Sequence, residues 1–151
     1  MDKKDLRILE ILSNNSRTPA TWIARELGIS DVAVKKRIQR LEREGVIKAY
    51  RVELNPSKLG YSAVALVGVN VNSECLLEVA QKLSQRKDTV FVALTSGDHD
   101  VMIELWARNG AEMQRKLKEI KEIDGVNNVY PAIILDIVRE RGGLPKELLE
   151  D

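Results

Sequence analysis

Two helical repeats, broken once, constrain this chain more than any other feature. In residues 18–45, "TPATWIARELGISDVAVKKRIQRLEREG", the break is Gly28-Ile29-Ser30. Thr18 before Pro19 is a start signal, a capping hydroxyl ahead of a proline in the first turn. The helix it opens runs to Leu27 and buries Ala24, Leu27 and either Trp22 or Ile23. Gly28 stops it in the left-handed conformation. Ile29 then plugs the core, and Ser30 caps a helix that runs to about Glu44 and stops at Gly45. Ahead of these, residues 2–13 carry Leu6, Ile8, Leu9, Ile11 and Leu12 as one broad stripe, with Asp2 as cap, and "NNSRT" breaks the pattern. Two helices joined by a three-residue turn with a glycine form a helix-turn-helix, here over about residues 21–40. A plain helical hairpin has the same spacing, so the third helix has to decide.

At about 100° per residue, Val34, Ile38 and Leu41 face a core. Val32, Lys36, Gln39 and Arg43 lie opposite, with Lys35 and Arg40 on the flanks. Arg37 falls at the core edge, where an intramolecular salt bridge is at least as good a use as a phosphate. In the first three turns the one acid is Asp31, well placed for the helix dipole. The net charge of +1 hides a division. Residues 1–60 hold 13 Lys+Arg and 8 Asp+Glu (+5), whereas residues 61–151 hold 11 and 15 (−4). The basic front half is the candidate for a polyanion.

The back half changes period. Residues 46–54, "VIKAYRVEL", are β-formers that end at Asn55-Pro56 and read as a hinge strand. A strand at 61–71 follows, then a helix capped by Ser73 or Asn72 and running to about Arg86, with Leu76, Ala80 and Leu83 in register. Strands at 89–96 and 101–107 flank the turn "GDHD", and a helix at 110–123 carries Met113, Leu117, Ile120 and Ile123. The last strand, 125–138, contains Pro131, which requires a bulge or an edge. The order βαββαβ is ferredoxin-like, so the fold class is α+β. Residues 1–45 form a helix-turn-helix domain, 46–60 a hinge and linker, 61–138 the ferredoxin-like domain and 139–151 a charged tail.

Two helices cover one face of such a sheet. Yet the strands are apolar on both faces: Val64 and Leu66 against Ala63, Ala65 and Val67, and Val90, Val92 and Leu94 against Phe91 and Ala93. A bare apolar sheet face is an association site. The patterning therefore predicts a homodimer through these sheets.

The motifs "NSRTP" (15–19), "IARELGIS" (23–30), "VKKRIQRLEREGVI" (34–47), "LNPSKLGY" (54–61), "SGDHD" (96–100) and "IDGVNNVYPAIIL" (123–135) together resemble the Lrp/AsnC, or feast/famine, family of prokaryotic transcription regulators, in its archaeal type. The resemblance implies an N-terminal helix-turn-helix of winged-helix-like type on double-stranded DNA, a hinge strand, and a C-terminal domain that dimerises, assembles into octamers and often binds an amino-acid effector. Candidate DNA contacts are then Ser30, Asp31, Val32, Lys35, Lys36, Gln39, Arg40 and Arg43. The four cations suit phosphates, and Asp31, Val32 and Gln39 suit base edges. The loop "SGDHD" alone reads as a plain hairpin turn. The resemblance makes Gly97, Asp98 and Asp100 candidate effector contacts, with turn amides for a carboxylate and an Asp for an ammonium.

Other chemistries lack their residues. One His, one Cys, no phosphate-binding glycine motif and no nucleophile–base pair argue against an enzyme and against a cofactor. Asp98, His99 and Asp100 are consecutive in a tight turn and do not converge on a metal ion. Cys75 and Trp106 read as core or interface residues, and a lone cysteine forms no internal disulfide. With no apolar run near ~18 residues and no signal-peptide pattern, no membrane partner is expected and the cytoplasm is the expected compartment. The tail has a Gly-Gly break and a short capped segment near Pro145. The competing reading is a metabolite-binding accessory module that contacts a protein partner without specific DNA binding.

Overall fold

In the computed structural model, which describes residues 1–150, Asp2 and Asp5 close a reciprocal capping box at the chain's first helix. The Asp5 N–H donates to Asp2 Oδ1 and the Asp2 N–H to Asp5 Oδ2, both at 2.9 Å. That helix is α1 (Lys3–Asn14), and α2 (Ala20–Leu27) and α3 (Asp31–Arg43) follow. Pro19, not Thr18, stands at the cap of α2. The Thr18 hydroxyl donates backward to the Asn15 carbonyl at 2.7 Å, so the loop uses it before the helix can.

Gly28 adopts φ +62°, and the paired bonds from Gly28 N–H to Arg25 O (3.4 Å) and from Ile29 N–H to Ala24 O (3.1 Å) turn Ile29 back onto the core. Ser30 Oγ then accepts from the Ala33 N–H at 3.1 Å and opens α3. Gly45, at φ +72°, closes α3 with the same device. The core of this unit is Ile8, Ile11, Leu12, Ile23, Ala24, Val34 and Leu41. Ile23 enters it, and Trp22 stays 45% exposed.

The chain divides into two compact units, residues 1–53 with the tail from Arg139 onward, and residues 54–138. Residues 46–54 form no strand, which corrects the hinge-strand reading. A strand needs a partner strand to bond, and every regular element among the first unit's described residues is helical. In the tail a 3-10 turn, Lys146–Leu149, packs on α1.

The second unit runs β1 (Ala63–Val71), α4 (Leu76–Ser84), β2 (Thr89–Leu94), β3 (Val101–Ala107), α5 (Gly110–Lys121) and β4 (Val126–Ile133). Its sheet is antiparallel in the order β2-β3-β1-β4, the α+β arrangement the periodicities call for. Several boundaries differ: β1 starts at Ala63, β2 ends at Leu94 and α5 at Lys121. Residues Ser73–Cys75 form a 3-10 turn, so neither Asn72 nor Ser73 caps α4 by its side chain. The helix ends at Ser84, before Arg86, and β4 ends at Ile133, short of residue 138. Pro131 lies on β4, an edge strand.

Strict alternation puts Ala65, Val67, Val69, Val101, Ile103 and Leu105 under the two helices with Val79, Leu83, Met113, Leu117 and Ile120. Val90 escapes the alternation because the register shifts between Thr89 and Phe91. The other face carries Val64, Leu66 and Gly68 on β1, Met102, Glu104 and Trp106 on β3, Phe91 and Ala93 on β2, and Tyr130 on β4. No helix of this unit covers that face. Beneath the helices, the buried Lys116 donates to the Trp106 carbonyl at 2.8 Å, with Glu112 at 3.3 Å and Asp88 at 3.6 Å. Arg86 clamps Asp88 and Glu119 beside it.

Backbone geometry distinguishes the glycines. Gly28→Ala forces an L side chain into the left-handed region and costs the first unit about 1 kcal/mol or more. Gly110→Ala, at the start of α5 with open space around the new Cβ, stabilises the second unit by about 0.5 kcal/mol. Urea unfolding of the two variants reads both signs.

Candidate nucleic-acid interface and ligand loop

The outward face of α3 is built from its capping turn upward. Ser30 is exposed; its oxygen accepts the Ala33 N–H, which leaves the hydroxyl proton for an external acceptor. Val32 is 55% exposed, and Lys36, Gln39 and Arg43 are exposed in line with it. Lys35 pairs at 3.4 Å with Asp31, a half-exposed contact one turn back. These residues share one surface of the helix, opposite Val34 and Leu41, both fully buried.

Arg40 has a different environment from the one its flank position suggests. Its Nη2 donates to Asp5 Oδ2 at 2.6 Å, and its Nε is buried without a hydrogen-bond partner, with Glu44 at 3.9 Å. Arg37 donates to Asp2 at 2.7 Å and to Asp5 at 2.8 Å, the structural use its core-edge position allows. Asp5 is fully buried and so carries two arginines of the next-but-one helix. Lys35, Lys36 and Arg43 are the cations of α3 that Asp2 and Asp5 do not hold.

The electrostatics agree with the geometry. The Asp5 backbone amide, then the Arg37 guanidinium, hold the Asp2 carboxyl down at about 2. For Asp5, burial pushes upward, but the Asp2 amide and the Arg37 guanidinium outweigh it and leave the carboxyl below its ordinary value. Hydrogen bonds to Asp2 and then Asp5 raise Arg37. Depressed carboxylates stabilise the fold above about pH 4, and that stability is lost as pH falls toward about 2.

The loop after β2 is pinned rather than open. Gly97 has φ +118°. Asp100 accepts the Val71 N–H on Oδ2 at 2.9 Å, and its own N–H donates to the Val69 carbonyl at 3.2 Å. Asn70 Nδ2 donates to the Asp98 carbonyl at 3.1 Å, and Thr95 Oγ1 donates to the His99 carbonyl at 2.7 Å. Asp98 keeps an exposed carboxylate with no partner among the described residues. Gly97 and Asp98 are therefore open to a ligand, and Asp100 fastens the loop to β1. Among the described residues no group of three or more His, Cys, Asp or Glu is placed for a metal ion, and no helix is long and apolar enough to cross a membrane.

Sequence reasoning missed Asp5. Its signal was present as an acid in the first turn of α1, on the apolar stripe itself in line with Ile8 and Leu12, with two arginines spaced three apart on α3. It also missed His99, which lies against Gly68, because nothing local links residues 31 apart.

With this geometry in place, comparison with known proteins is direct. Residues 1–42 match the AsnC-type helix-turn-helix domain, and residues 64–144 match the Lrp/AsnC ligand binding domain. Over 137 residues the chain is 47% identical to the HTH-type transcriptional regulator LrpA of Pyrococcus horikoshii, covering 90% of this chain and 97% of that one. It is 36% identical over 136 residues to the HTH-type transcriptional regulator LysM of Saccharolobus solfataricus, covering 89% and 94%. The solved structure of E. coli AsnC superposes with TM-score 0.83 at 25% identity, over 93% of this chain and 96% of that one. A transcriptional regulator of Neisseria meningitidis in complex with L-Met superposes with TM-score 0.90 at 18% identity, over 99% of both.

These features define a DNA-binding transcription regulator of helix-turn-helix type that carries a ligand-binding α+β domain. The chain belongs to the Lrp/AsnC family.

Asp5→Ala takes the carboxylate from Arg40 and one of two from Arg37, which keeps Asp2, and costs the first unit about 1–3 kcal/mol. In urea melts at pH 7 the variant unfolds well below the parent chain. The gap closes as the parent's own carboxylates protonate below about pH 4. Equal midpoints at pH 7 would show that Asp5 does not hold α3.

Proposed function

We propose that residues 1–45 read duplex DNA as one half of a two-fold dimer, that residues 61–138 form that dimer and receive an amino acid, and that both act in the cytoplasm. The observation that carries the reading is the outer face of α3, where Lys35, Lys36 and Arg43 flank Val32 and Gln39 on a helix whose core side is locked to α1. The three lysine and arginine side chains supply phosphate affinity, Ser30 adds a hydroxyl donor, and Asp31, Val32 and Gln39 meet base edges. Arg40 shares its charge with Asp5 and contributes less than the other three.

One recognition helix reads too few base pairs for a specific site, and a two-fold pair about 34 Å apart reads a palindrome-like one. The open sheet face supplies the second copy. Four strands of about seven residues give roughly 19 × 24 Å, or about 450 Å² in plan before side-chain relief. That is already over half of the ~800 Å² per partner in a stable complex. Phe91 and Tyr130 stand 42% and 48% exposed on it, and Trp106 satisfies its own N–H on Glu104 at 2.8 Å. An apolar face whose indole N–H is already paired suits a like face.

For the effector, the amides around Gly97 suit a carboxylate, and the unpartnered Asp98 suits an ammonium. A regulator of the same fold holds L-Met, which favours an amino acid as the ligand class.

Two measurements test the reading. Lys36→Ala lowers affinity for all duplexes and flattens the salt slope by about 0.9. Unchanged affinity and slope remove Lys36 from the interface, and only weak, non-specific retention of the parent chain favours an accessory module. A thermal-shift screen of the twenty amino acids finds one that stabilises by about 2.7 kcal/mol at 100 times its dissociation constant. A flat screen removes the amino-acid effector and leaves DNA binding intact.

A further inference from the structure

The open sheet face has a gap at its middle that the loop fills. Gly68 lies on β1, bonded to β3 on one side and β4 on the other. A Cβ at Gly68 would fall 2.3 Å from His99 Cδ2 and 2.4 Å from its Cγ, so the imidazole occupies the volume a side chain would take. The backbone does not require glycine here, since the φ of Gly68 lies outside the left-handed region. The requirement comes from the ring above it.

Three contacts hold that ring. Asn70 directs its Nδ2 to the Asp98 carbonyl, so its Oδ1 faces the imidazole, and His99 Nδ1 donates to it at 2.9 Å. Tyr130, the partner of Gly68 across the β1–β4 ladder, meets the ring with centroids 5.0 Å apart and planes tilted 34°. The backbone on either side is fastened as well, with the His99 carbonyl bonded by Thr95 and Asp100 bonded to Val71. One side chain of the ligand loop thus forms part of the sheet's open surface.

We propose that His99 is a positioning residue that couples the ligand loop to the face on which a second copy docks. With the imidazole over Gly68, the loop is closed and the face is complete. A ligand that draws Gly97 and Asp98 outward lifts the ring and leaves a hole beside Tyr130 at the interface. Occupancy of the loop and association of the sheets are then linked, and the linkage is reciprocal. This rests on the loop and dimer readings above and adds the residue that joins them.

The test uses the full chain as the parent, Gly68→Ala, His99→Ala and the double variant. Sedimentation equilibrium reads the dimer, and amide hydrogen exchange reads residues 95–100. Gly68→Ala expels the ring, so loop exchange accelerates and the dimer dissociation constant rises, each by about tenfold. Both substitutions remove the same ring from the face, so adding His99→Ala leaves dimerisation within about threefold of Gly68→Ala alone, and the loop stays fast. Should Gly68→Ala fail to fold, His99→Ala alone still has to loosen the loop about tenfold with an unchanged circular dichroism spectrum. A dimeric parent whose loop exchange is indifferent to both single variants overturns the coupling and leaves the dimer reading standing. So does a double variant whose dimer dissociation constant rises by the product of the two single losses. A parent that stays monomeric at every concentration overturns the dimer reading, and the coupling with it.

Discussion

A carboxylate buried in a small helical unit is costly unless its charge is matched, and Asp5 is matched twice. It accepts from Arg37 and Arg40 while its neighbour Asp2 takes a second bond from Arg37. The pairing fixes both the position and the roll of α3, since the two arginines stand on its inner edge. With that edge tied down, Lys36, Gln39 and Arg43 have one available direction. Apolar contacts at Val34, Ile38 and Leu41 are non-directional and restrict rotation about the helix axis less tightly. Direct readout of bases tolerates little of that, because bidentate contacts depend on angle as well as distance.

The second unit follows a different logic. Its sheet buries Val67, Val69, Ile103 and Leu105 under two helices and leaves the reverse face apolar. An antiparallel sheet commonly turns a polar face to water, and this one turns Phe91, Met102, Trp106 and Tyr130 outward. Folding therefore draws on one face of that alternation and leaves the other apolar and uncovered by the unit's helices. The ligand loop is bonded to β1 through Asp100, Asn70 and His99, which ties any movement of the loop to the strand at the sheet's centre.

Periodicity and caps made most of the fold legible in the sequence. Gly28, Ile29 and Ser30 announce a stop, a plug and a start, and each performs that role through local bonds. The βαββαβ order follows from changes of period alone. What escaped was set by partners distant in sequence. Thr18 has the chemistry of a cap but bonds backward to Asn15. Residues 46–54 have strand composition without a strand to pair with. In the candidate site, the exposure of Lys36, Gln39 and Arg43 was legible from the helical wheel, whereas the diversion of Arg40 to Asp5 was not. Likewise the bond from the Val71 N–H to Asp100 Oδ2 joins residues 29 apart and has no local signal. Local rules carry helix faces well, and side-chain assignments at a face's edge depend on what packs beside it.

Hydroxyl-radical footprinting on the DNA upstream of the chain's own gene tests the central claim most directly. Two copies, each presenting one locked recognition helix, protect paired patches on one face of the duplex, separated by one helical turn of about 10.5 bp or a multiple of it. The pair is related by a dyad and fades together as salt is raised. A single unpaired patch, or no protection at low salt, contradicts the account.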